Sequence, residues 1–491
     1  MTKFSRRRFL EAAATLAAVA PLSGVDARGL PLDGAAMAAA LASGRTTGAA
    51  LVEAAIDRLE RVNPKINAVS FKDYDRARAL AASKPGGPLA GIPTLVKELA
   101  AQKGLPWTQG ARAYKDRIAD KDAPIVTVMM EAGLVPIGRS TSPEFGLTAT
   151  GEGLLNGPTR NPWNLDHSSG GSSSGSGAAV AAGVVPFAHS SDGGGSIRIP
   201  ASCNGLVGLK PSRGRTRDAV KLTKLVNISV NNCVSRTVRD TAAWFAAIEA
   251  TGPDANYPPI GLVTGPSGQK LRITAAAINS IGLSPDAEVH AVFETASRLL
   301  SRLGHKVTDG RPNWDGAAVN DAFLTLWGFG ANAEVQAASK YLGRPAGPDD
   351  LEPLTFTMAS MGTKGGDAGL AKSLAALTEL QRRYLSQFEA TDIFMTPVLG
   401  MPPARIGEFA PTVPYEQMAE RLGAYVSYTP IENVVGATAI SLPIGSSRSG
   451  LPIGIQFATK PGGERVLLEL AYSLERELEW YRRKPPLWVG G

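Results

Sequence analysis

Cysteine and histidine are scarce in this chain, which has two cysteines and four histidines among 491 residues. Two cysteines cannot build a disulfide-dense scaffold. Because the histidines are also widely spread, a zinc or iron–sulfur site is not expected, and we predict no metal and no other cofactor. The sequence leaves open whether Cys203 and Cys233 form a disulfide or are two buried thiols.

Long apolar runs and clustered charge are also absent. No segment approaches the roughly 18 consecutive apolar residues of a transmembrane helix, so stable membrane insertion of the mature chain is not expected. The formal net charge is +7, and its densest basic run is Arg6 to Arg8 at the N-terminus. Without a basic stripe interleaved with aromatic residues elsewhere, nucleic acid is not an expected partner.

The N-terminus has the pattern of an export signal. The sequence SRRRFL at 5–10 resembles the twin-arginine motif, and a short Ala-rich apolar run follows it to about residue 22. That run is too short to cross a bilayer. We therefore predict a twin-arginine-type signal peptide over 1–27 and a periplasmic or secreted mature chain over 28–491. The alternative is a cytoplasmic N-terminal helix with a chance arginine run.

Helical and strand patterns alternate along the rest of the chain, which predicts an α/β fold. A glycine turn at 91 leads into a buried strand that ends near Lys97, and amphipathic helices are predicted over 286–303 and 370–388. A late strand is predicted over 450–457.

Glycine is concentrated between residues 151 and 214, where it fills 14 of 64 positions, and residues 168–177 are only Ser and Gly. Such a run is typical of a flexible linker. However, an Ala-rich helical pattern follows it at once, then a predicted buried strand over 184–187 and a second glycine cluster at 193–195. This order favours a structured unit.

Glycine-rich loops can aim several backbone N–H groups at one anion, either a phosphate or a developing oxyanion. A phosphate loop lacks its usual Gly-Lys-[Ser/Thr] ending here. Ser196 closes the second glycine cluster and is a candidate nucleophile. Its base is either a histidine, His189 or His167, in a triad with Asp192, or a desolvated Lys97. Spacing alone leaves this choice open.

Several separate motifs, found in the same order along nearly the whole mature chain, resemble the amidase signature family. They are GIPTLVKE at 91–98, GPTRNPWN at 157–164, GGSSSGSGAAVAAG at 170–183, SDGGGSIRIPAS at 191–202, GLVGLKPS at 205–212 and GLPIGIQ at 450–456. The resemblance implies a single large α/β domain in which helices cover a central mixed β-sheet.

The resemblance also implies a role for individual residues. It implies Ser196 as nucleophile, Ser172 as the bridging serine after a cis peptide bond and Lys97 as terminal base. The oxyanion hole is expected to consist of the backbone N–H groups of Gly193, Gly194, Gly195 and Ser196. Asp192 and Arg198 are the expected supporting polar residues. The base in this set is a lysine and not a histidine.

The implied activity is hydrolysis of carbon–nitrogen bonds in small linear or cyclic amides, through a Ser acyl-enzyme. The runs NPWN at 161–164 and TPIEN at 429–433 resemble the 6-aminohexanoate cyclic-dimer hydrolase branch. Alternatives are an amidotransferase subunit acting on charged tRNA and a non-catalytic exported binding protein. Trp327, Phe329 and Tyr428 are candidates to line the substrate pocket or to pack in the core, and a homodimer is one option for the assembly.

Overall fold

The computed structural model describes residues 24–26, 28–219 and 228–489. The predicted signal peptide therefore lies almost entirely outside the described residues. Within them, α-helices and β-strands alternate along the chain.

The α-helices of the described residues differ widely in length. They are α1 Gly34–Ala42, α2 Gly48–Ile66, α3 Tyr74–Ala82, α4 Pro124–Glu131, α5 Ser174–Ala181, α6 Arg198–Asn204, α7 Val238–Ile248, α8 Ala287–Arg302, α9 Gly316–Leu342, α10 Pro353–Thr363, α11 Gly366–Ser386, α12 Tyr415–Val426, α13 Pro430–Val435 and α14 Glu464–Leu478.

The strands are mostly short. They are β1 Val69–Lys72, β2 Pro93–Lys97, β3 Val135–Ser140, β4 Glu152–Gly153, β5 Gly157–Pro158, β6 Arg160–Asn161, β7 Asn164–Ser168, β8 Phe187–Asp192, β9 Val207–Lys210, β10 Val230–Ser235, β11 Arg272–Ala275, β12 Lys306–Asp309, β13 Ile393–Pro397, β14 Thr438–Ser446 and β15 Pro452–Thr459.

Eight strands form the main sheet in the order β12-β11-β13-β15-β14-β9-β10-β8. Strand β11 is parallel to both of its neighbours, whereas the strands from β13 to β8 pair antiparallel. A smaller sheet has the order β1-β3-β2. The hydroxyl of Thr94 on β2 donates to the carbonyl of Phe187 on β8 at 3.1 Å, so the smaller sheet continues the edge of the main one.

The main sheet is covered on both faces, as strand β15 shows. Its side chains alternate between the two faces. Ile455 and Phe457 join the apolar core with helices α8 and α14. On the other face, Gly454 packs against Ser202 and Gln456 binds Arg198, both on α6. The predicted α/β class, with a central mixed sheet covered by helices in one domain, is therefore confirmed.

The block rich in Ser and Gly is structured, so the linker alternative is wrong. Helix α5 already begins at Ser174, inside the Ser/Gly run. The strand predicted over 184–187 is misplaced, because β8 begins only at Phe187 and runs to Asp192. Pro186 has no N–H group to donate to a sheet, which explains why the strand starts after it.

The two cysteines, Cys203 and Cys233, are both buried and not bonded to each other. Of the two arrangements that the sequence leaves open, the structure therefore has the free thiols. None of the helices in the described residues combines the length and the apolar character needed to cross a bilayer.

Candidate active site

Three predicted site residues lie near the end of β2, the start of α5 and the loop that follows β8. Lys97 is the last residue of β2, Ser172 lies two residues before α5, and Ser196 lies in the loop between β8 and α6. The Gly171–Ser172 peptide bond is cis. The Nζ of Lys97 donates to the Oγ of Ser172 at 2.7 Å and to the Oγ of Ser191 at 3.1 Å. Tertiary structure thus joins a lysine and a serine that are 75 residues apart in the sequence.

The amine of Lys97 lies in an environment that disfavours its charge. Its side chain is fully buried. Burial lowers the pKa of Lys97 to about 7, although the carboxylates of Asp192 and Glu98 act in the opposite direction. A lysine with this pKa is partly neutral near pH 7, and only the neutral amine can accept a proton from Ser172.

Ser196 faces the same cavity as Ser172 and is 8% exposed. The cavity has a volume of about 820 Å³, including its open mouth, and Ser191 and Gly193 also line it. No hydrogen bond joins the hydroxyls of Ser172 and Ser196 in this structure. The Lys97–Ser172 contact is therefore formed, while Ser172 and Ser196 only share a cavity.

The loop before Ser196 leaves several backbone N–H groups unoccupied. In the described part of the chain, no acceptor binds the N–H groups of Gly193, Gly194 or Ser196. The N–H of Gly195 instead donates to Asp192 Oδ1 at 2.7 Å. Gly195 also has a φ of +133°, a conformation that favours glycine. Gly195 therefore contributes to the loop through its conformation, while the other three N–H groups can receive an oxyanion.

Asp192 and Arg198 form a fully buried ion pair that holds this loop. The guanidinium of Arg198 donates to both carboxylate oxygens of Asp192, at 2.9 and 3.0 Å. The backbone N–H of Ile197 donates to the same carboxylate. Despite burial, the charge of Arg198 and these hydrogen bonds lower the pKa of Asp192 to about 2. The carboxylate therefore stays ionised and orients the loop without reaching the cavity.

Residues late in the chain complete this network, although the sequence motifs that contain them assign them no individual roles. Arg198 also donates to Glu432, to Asn433 on α13 and to Gln456 on β15. The hydroxyl of Thr429 donates to the carbonyl of Gly194 at 2.7 Å. The runs TPIEN and GLPIGIQ contain these residues, but no sequence signal shows that they meet Arg198.

The histidine alternatives do not form a catalytic triad. His189 Nδ1 accepts from the backbone N–H of Lys97 at 3.2 Å, and its Nε2 lies 3.1 Å from Asn231 Oδ1. Burial lowers the pKa of His189 to about 3. His167 instead meets the carbonyl of Pro403. Neither histidine contacts Ser196, so the structure contradicts a Ser-His-Asp arrangement.

Comparison with known proteins decides the family. The family model described as "Amidase" matches residues 50–468 of the chain. The chain belongs to the amidase signature family.

Full-length relatives agree with this assignment. The chain is 42% identical over 458 residues to "Putative amidase AmiC" of Mycobacterium tuberculosis, which covers 93% of this chain and 96% of the relative. It is 35% identical over 483 residues to "6-aminohexanoate-cyclic-dimer hydrolase" of Paenarthrobacter ureafaciens, with the same coverage of both chains. This amidase is therefore a hydrolase of carbon–nitrogen amide bonds.

Solved structures share the fold of this amidase. A 6-aminohexanoate cyclic dimer hydrolase complexed with substrate has a TM-score of 0.83 and 32% identity, over 93% of this chain and 98% of the other. A bacterial aryl acylamidase of the amidase signature family has a TM-score of 0.80 and 26% identity, over 91% and 97%. These structures confirm the predicted fold class.

A second cavity of the amidase, of about 670 Å³ with its mouth, also reaches Ser196. Its lining is almost wholly apolar and includes Ile199, Phe323, Met358 and Leu422. Trp327 lines both cavities.

The other two candidate lining residues lie elsewhere. Tyr428 is buried and donates its hydroxyl to the carbonyl of Ala277. Phe329 is 38% exposed and lines neither cavity at Ser196. Of the three aromatic candidates, only Trp327 faces the site.

Proposed function

We propose that this amidase hydrolyses small amides through an acyl-enzyme on Ser196, with Ser172 and Lys97 as its proton relay. The observation that carries the proposal is the 2.7 Å hydrogen bond between Lys97 and Ser172, which is buried beside the cavity that Ser196 lines. A general base and a nucleophile connected through a bridging hydroxyl can activate an otherwise weak serine.

In the first half of the reaction, neutral Lys97 accepts the proton of Ser172 while Ser172 accepts the proton of Ser196. The Oγ of Ser196 forms a bond to the amide carbonyl carbon, and the negative charge moves to the carbonyl oxygen. The N–H groups of Gly193, Gly194 and Ser196 stabilise this oxyanion. The relay then delivers the proton through Ser172 to the leaving nitrogen, and the carbon–nitrogen bond breaks.

In the second half, a water molecule takes the place of the amine. The relay removes a proton from the water, whose oxygen attacks the ester carbon. The proton then returns to Ser196, and the carboxylic acid leaves. This cycle needs a Ser172–Ser196 hydrogen bond, which we expect to form when substrate fills the cavity, because catalytic hydrogen bonds often tighten only in the complex.

The cavities and the relatives both support a class of substrate to test first. The apolar cavity next to Ser196 suits an aliphatic or aromatic acyl group. The relative named 6-aminohexanoate-cyclic-dimer hydrolase supports amides of aliphatic amino acids, linear or cyclic, as the first compounds to test. We further propose that residues 1–27 direct export through the twin-arginine route and that the mature chain, from residue 28, acts in the periplasm or outside the cell.

Labelling with a fluorophosphonate probe tests the acyl-enzyme. We expect one adduct on Ser196 of the mature protein and none in Ser196→Ala, read by mass spectrometry of peptides. Absence of an adduct in the unmodified protein would contradict the proposal and favour a non-catalytic binding protein. A panel of aryl, fatty and aminohexanoate amides then ranks substrates. Glutamine-dependent amidation of charged tRNA without hydrolysis of these amides would favour the amidotransferase alternative.

Cell fractionation tests the export. The full chain should appear in the periplasm, and the double variant Arg6→Lys/Arg7→Lys should stay in the cytoplasm. Equal distribution of the two proteins would overturn the export proposal and leave the catalytic one untouched.

A further inference from the structure

Helix α9 runs along both cavities and places one face toward them. Trp327, Gly330 and Glu334 recur on this face at spacings of three and four residues. All three line the cavity that Ser172 and Ser196 share, which we call the polar cavity. Trp327 packs against the nucleophile loop, since a Cβ on Gly193 would lie 3.3 Å from its ring. Its indole N–H donates to the carbonyl of Leu147 at 3.2 Å. Glu334 lies seven residues farther, or about 10 Å along the helix axis.

Glu334 is an acidic side chain of this cavity without a bonding partner in the described residues. No hydrogen bond and no ion pair involves its carboxylate there. Burial raises its pKa, and the positive charge of Arg117 opposes this rise. The side chain is only part-buried and faces the open cavity. A ligand that fills the cavity would displace water from the carboxylate, and it would have to bring a cation or a hydrogen-bond donor in its place.

Arg117 does not provide that contact, because other groups hold its guanidinium. Its Nε donates to the carbonyl of Trp107 at 2.8 Å, and one Nη donates to Gln109 at 2.6 Å. The guanidinium lies 3.9 Å from the centre of the Trp107 ring and 3.5 Å from that of Tyr114. Arg117 thus acts on Glu334 only through electrostatic attraction without a hydrogen bond, and it leaves the carboxylate available to a ligand.

The arrangement of the serines decides which half of the substrate meets Glu334. In the proposed reaction, Ser172 returns a proton to the leaving nitrogen, and Ser172 lines only the polar cavity of the two. The acyl half is then left with the apolar cavity, which also reaches Ser196. The amine half therefore extends from Ser172 along helix α9 toward Glu334.

We propose that Glu334 is a specificity residue that binds a cationic group on the amine half of the substrate. The preferred substrates are then amides whose leaving amine carries an ammonium or guanidinium group several bonds from the scissile nitrogen, such as monoacylated diamines. The inference rests on the proposed function for the direction of the substrate, but the recognition of the cation can be measured without turnover.

Two amides of equal size provide the test: N-(5-aminopentyl)hexanamide, which carries an ammonium group at pH 7.5, and its neutral isostere N-hexylhexanamide. Binding is measured by calorimetry in the Ser196→Ala background, in which hydrolysis cannot occur. We expect the cationic amide to bind about 10- to 100-fold more tightly, since hydrogen bonds to charged groups have that effect. Glu334→Gln should remove the preference and leave the affinity for the neutral amide nearly unchanged.

The matched control is Asp321→Asn, which removes a negative charge from an exposed position of the same helix. It should keep the preference. Equal affinities for the two amides before substitution, or an unchanged preference in Glu334→Gln, would overturn the role of Glu334. If Glu334 only served as a counterion to Arg117, Glu334→Gln would lower the melting temperature without changing the ratio of the affinities.

The same amides separate this inference from the proposed function. With Ser196 intact, both should be hydrolysed, and kcat/KM should favour the cationic one by the same ratio as binding. Tight binding of the cationic amide without hydrolysis of either compound would refute the catalytic proposal but retain the recognition by Glu334. Hydrolysis of both amides at equal kcat/KM would support the catalytic proposal and refute the recognition of the cation by Glu334.

Discussion

Replacement of Lys97 by methionine is the sharpest test of the proposed relay. Methionine fills a similar buried volume but has no amine, so Lys97→Met removes the hydrogen bond to Ser172 with little loss of packing. The matched control is His189→Gln, which changes a buried neighbour that contacts Lys97 only through its backbone N–H. If the relay is correct, the first variant loses activity and the second keeps most of it.

The size of the effect follows from the environment of the amine. A lysine with its ordinary pKa of 10.5 is about 0.1% neutral at pH 7.5. Burial lowers the pKa of Lys97 to about 7, at which about three quarters of the amine is neutral at that pH. A well-placed general base contributes about 10²- to 10⁴-fold to the rate, so kcat/KM of Lys97→Met should fall by that factor.

The pH dependence of kcat/KM gives a second readout of the same group. Activity should rise as the pH increases through about 7, because Lys97 must lose its proton before it can accept one from Ser172. This rise of kcat/KM with pH should be missing from the residual activity of Lys97→Met and present in His189→Gln. A Lys97→Met enzyme that kept more than a tenth of its activity and showed the same rise with pH would refute the relay. Loss of activity only in His189→Gln would restore histidine as the base.

Three further substitutions test the support of the nucleophile loop and a buried acid. Gly195→Ala places a Cβ in steric conflict with the hydroxyl of Thr429, and should slow fluorophosphonate labelling by about 10²-fold or more. Arg198→Met leaves Asp192 buried without its partner, so urea denaturation should show a free energy of unfolding lower by about 3–5 kcal/mol. Burial raises the pKa of Glu352 to about 8, so the folded protein keeps a proton that the unfolded chain releases above about pH 4.3. Stability should therefore fall as the pH rises through this window, and the gain in melting temperature of Glu352→Gln over the unmodified protein should be larger at pH 8 than at pH 5.

The contrast between predicted and observed segments shows which signals were reliable. The strand ending at Lys97 was predictable, because a glycine turn precedes a short apolar run. The strand predicted over 184–187 was misplaced, since apolar residues continue up to Pro186 while the sheet pairing begins after it. Helix α5 begins within the Ser/Gly run, where small residues have weak helix propensity and only close packing makes a helix favourable.

The residues of the candidate site also differ in whether the sequence could predict them. Ser172, Ser196 and Lys97 could be predicted because each lies in a local motif. Arg198 was expected to support the loop, but its partners Glu432 and Gln456 lie more than 230 residues away, so only the folded sheet brings them together.

The sequence by itself determined the family, the alternation of helices and strands, and the identity of the groups with the required chemistry, because these are local patterns of residue type. Only the tertiary structure decided that Lys97 is buried away from solvent, that His189 does not contact Ser196 and that Glu334 shares a cavity with Ser172. The physical reason is that desolvation, hydrogen-bond geometry and cavity shape depend on contacts between segments far apart in the chain, and a lysine becomes a base only where such contacts exclude water.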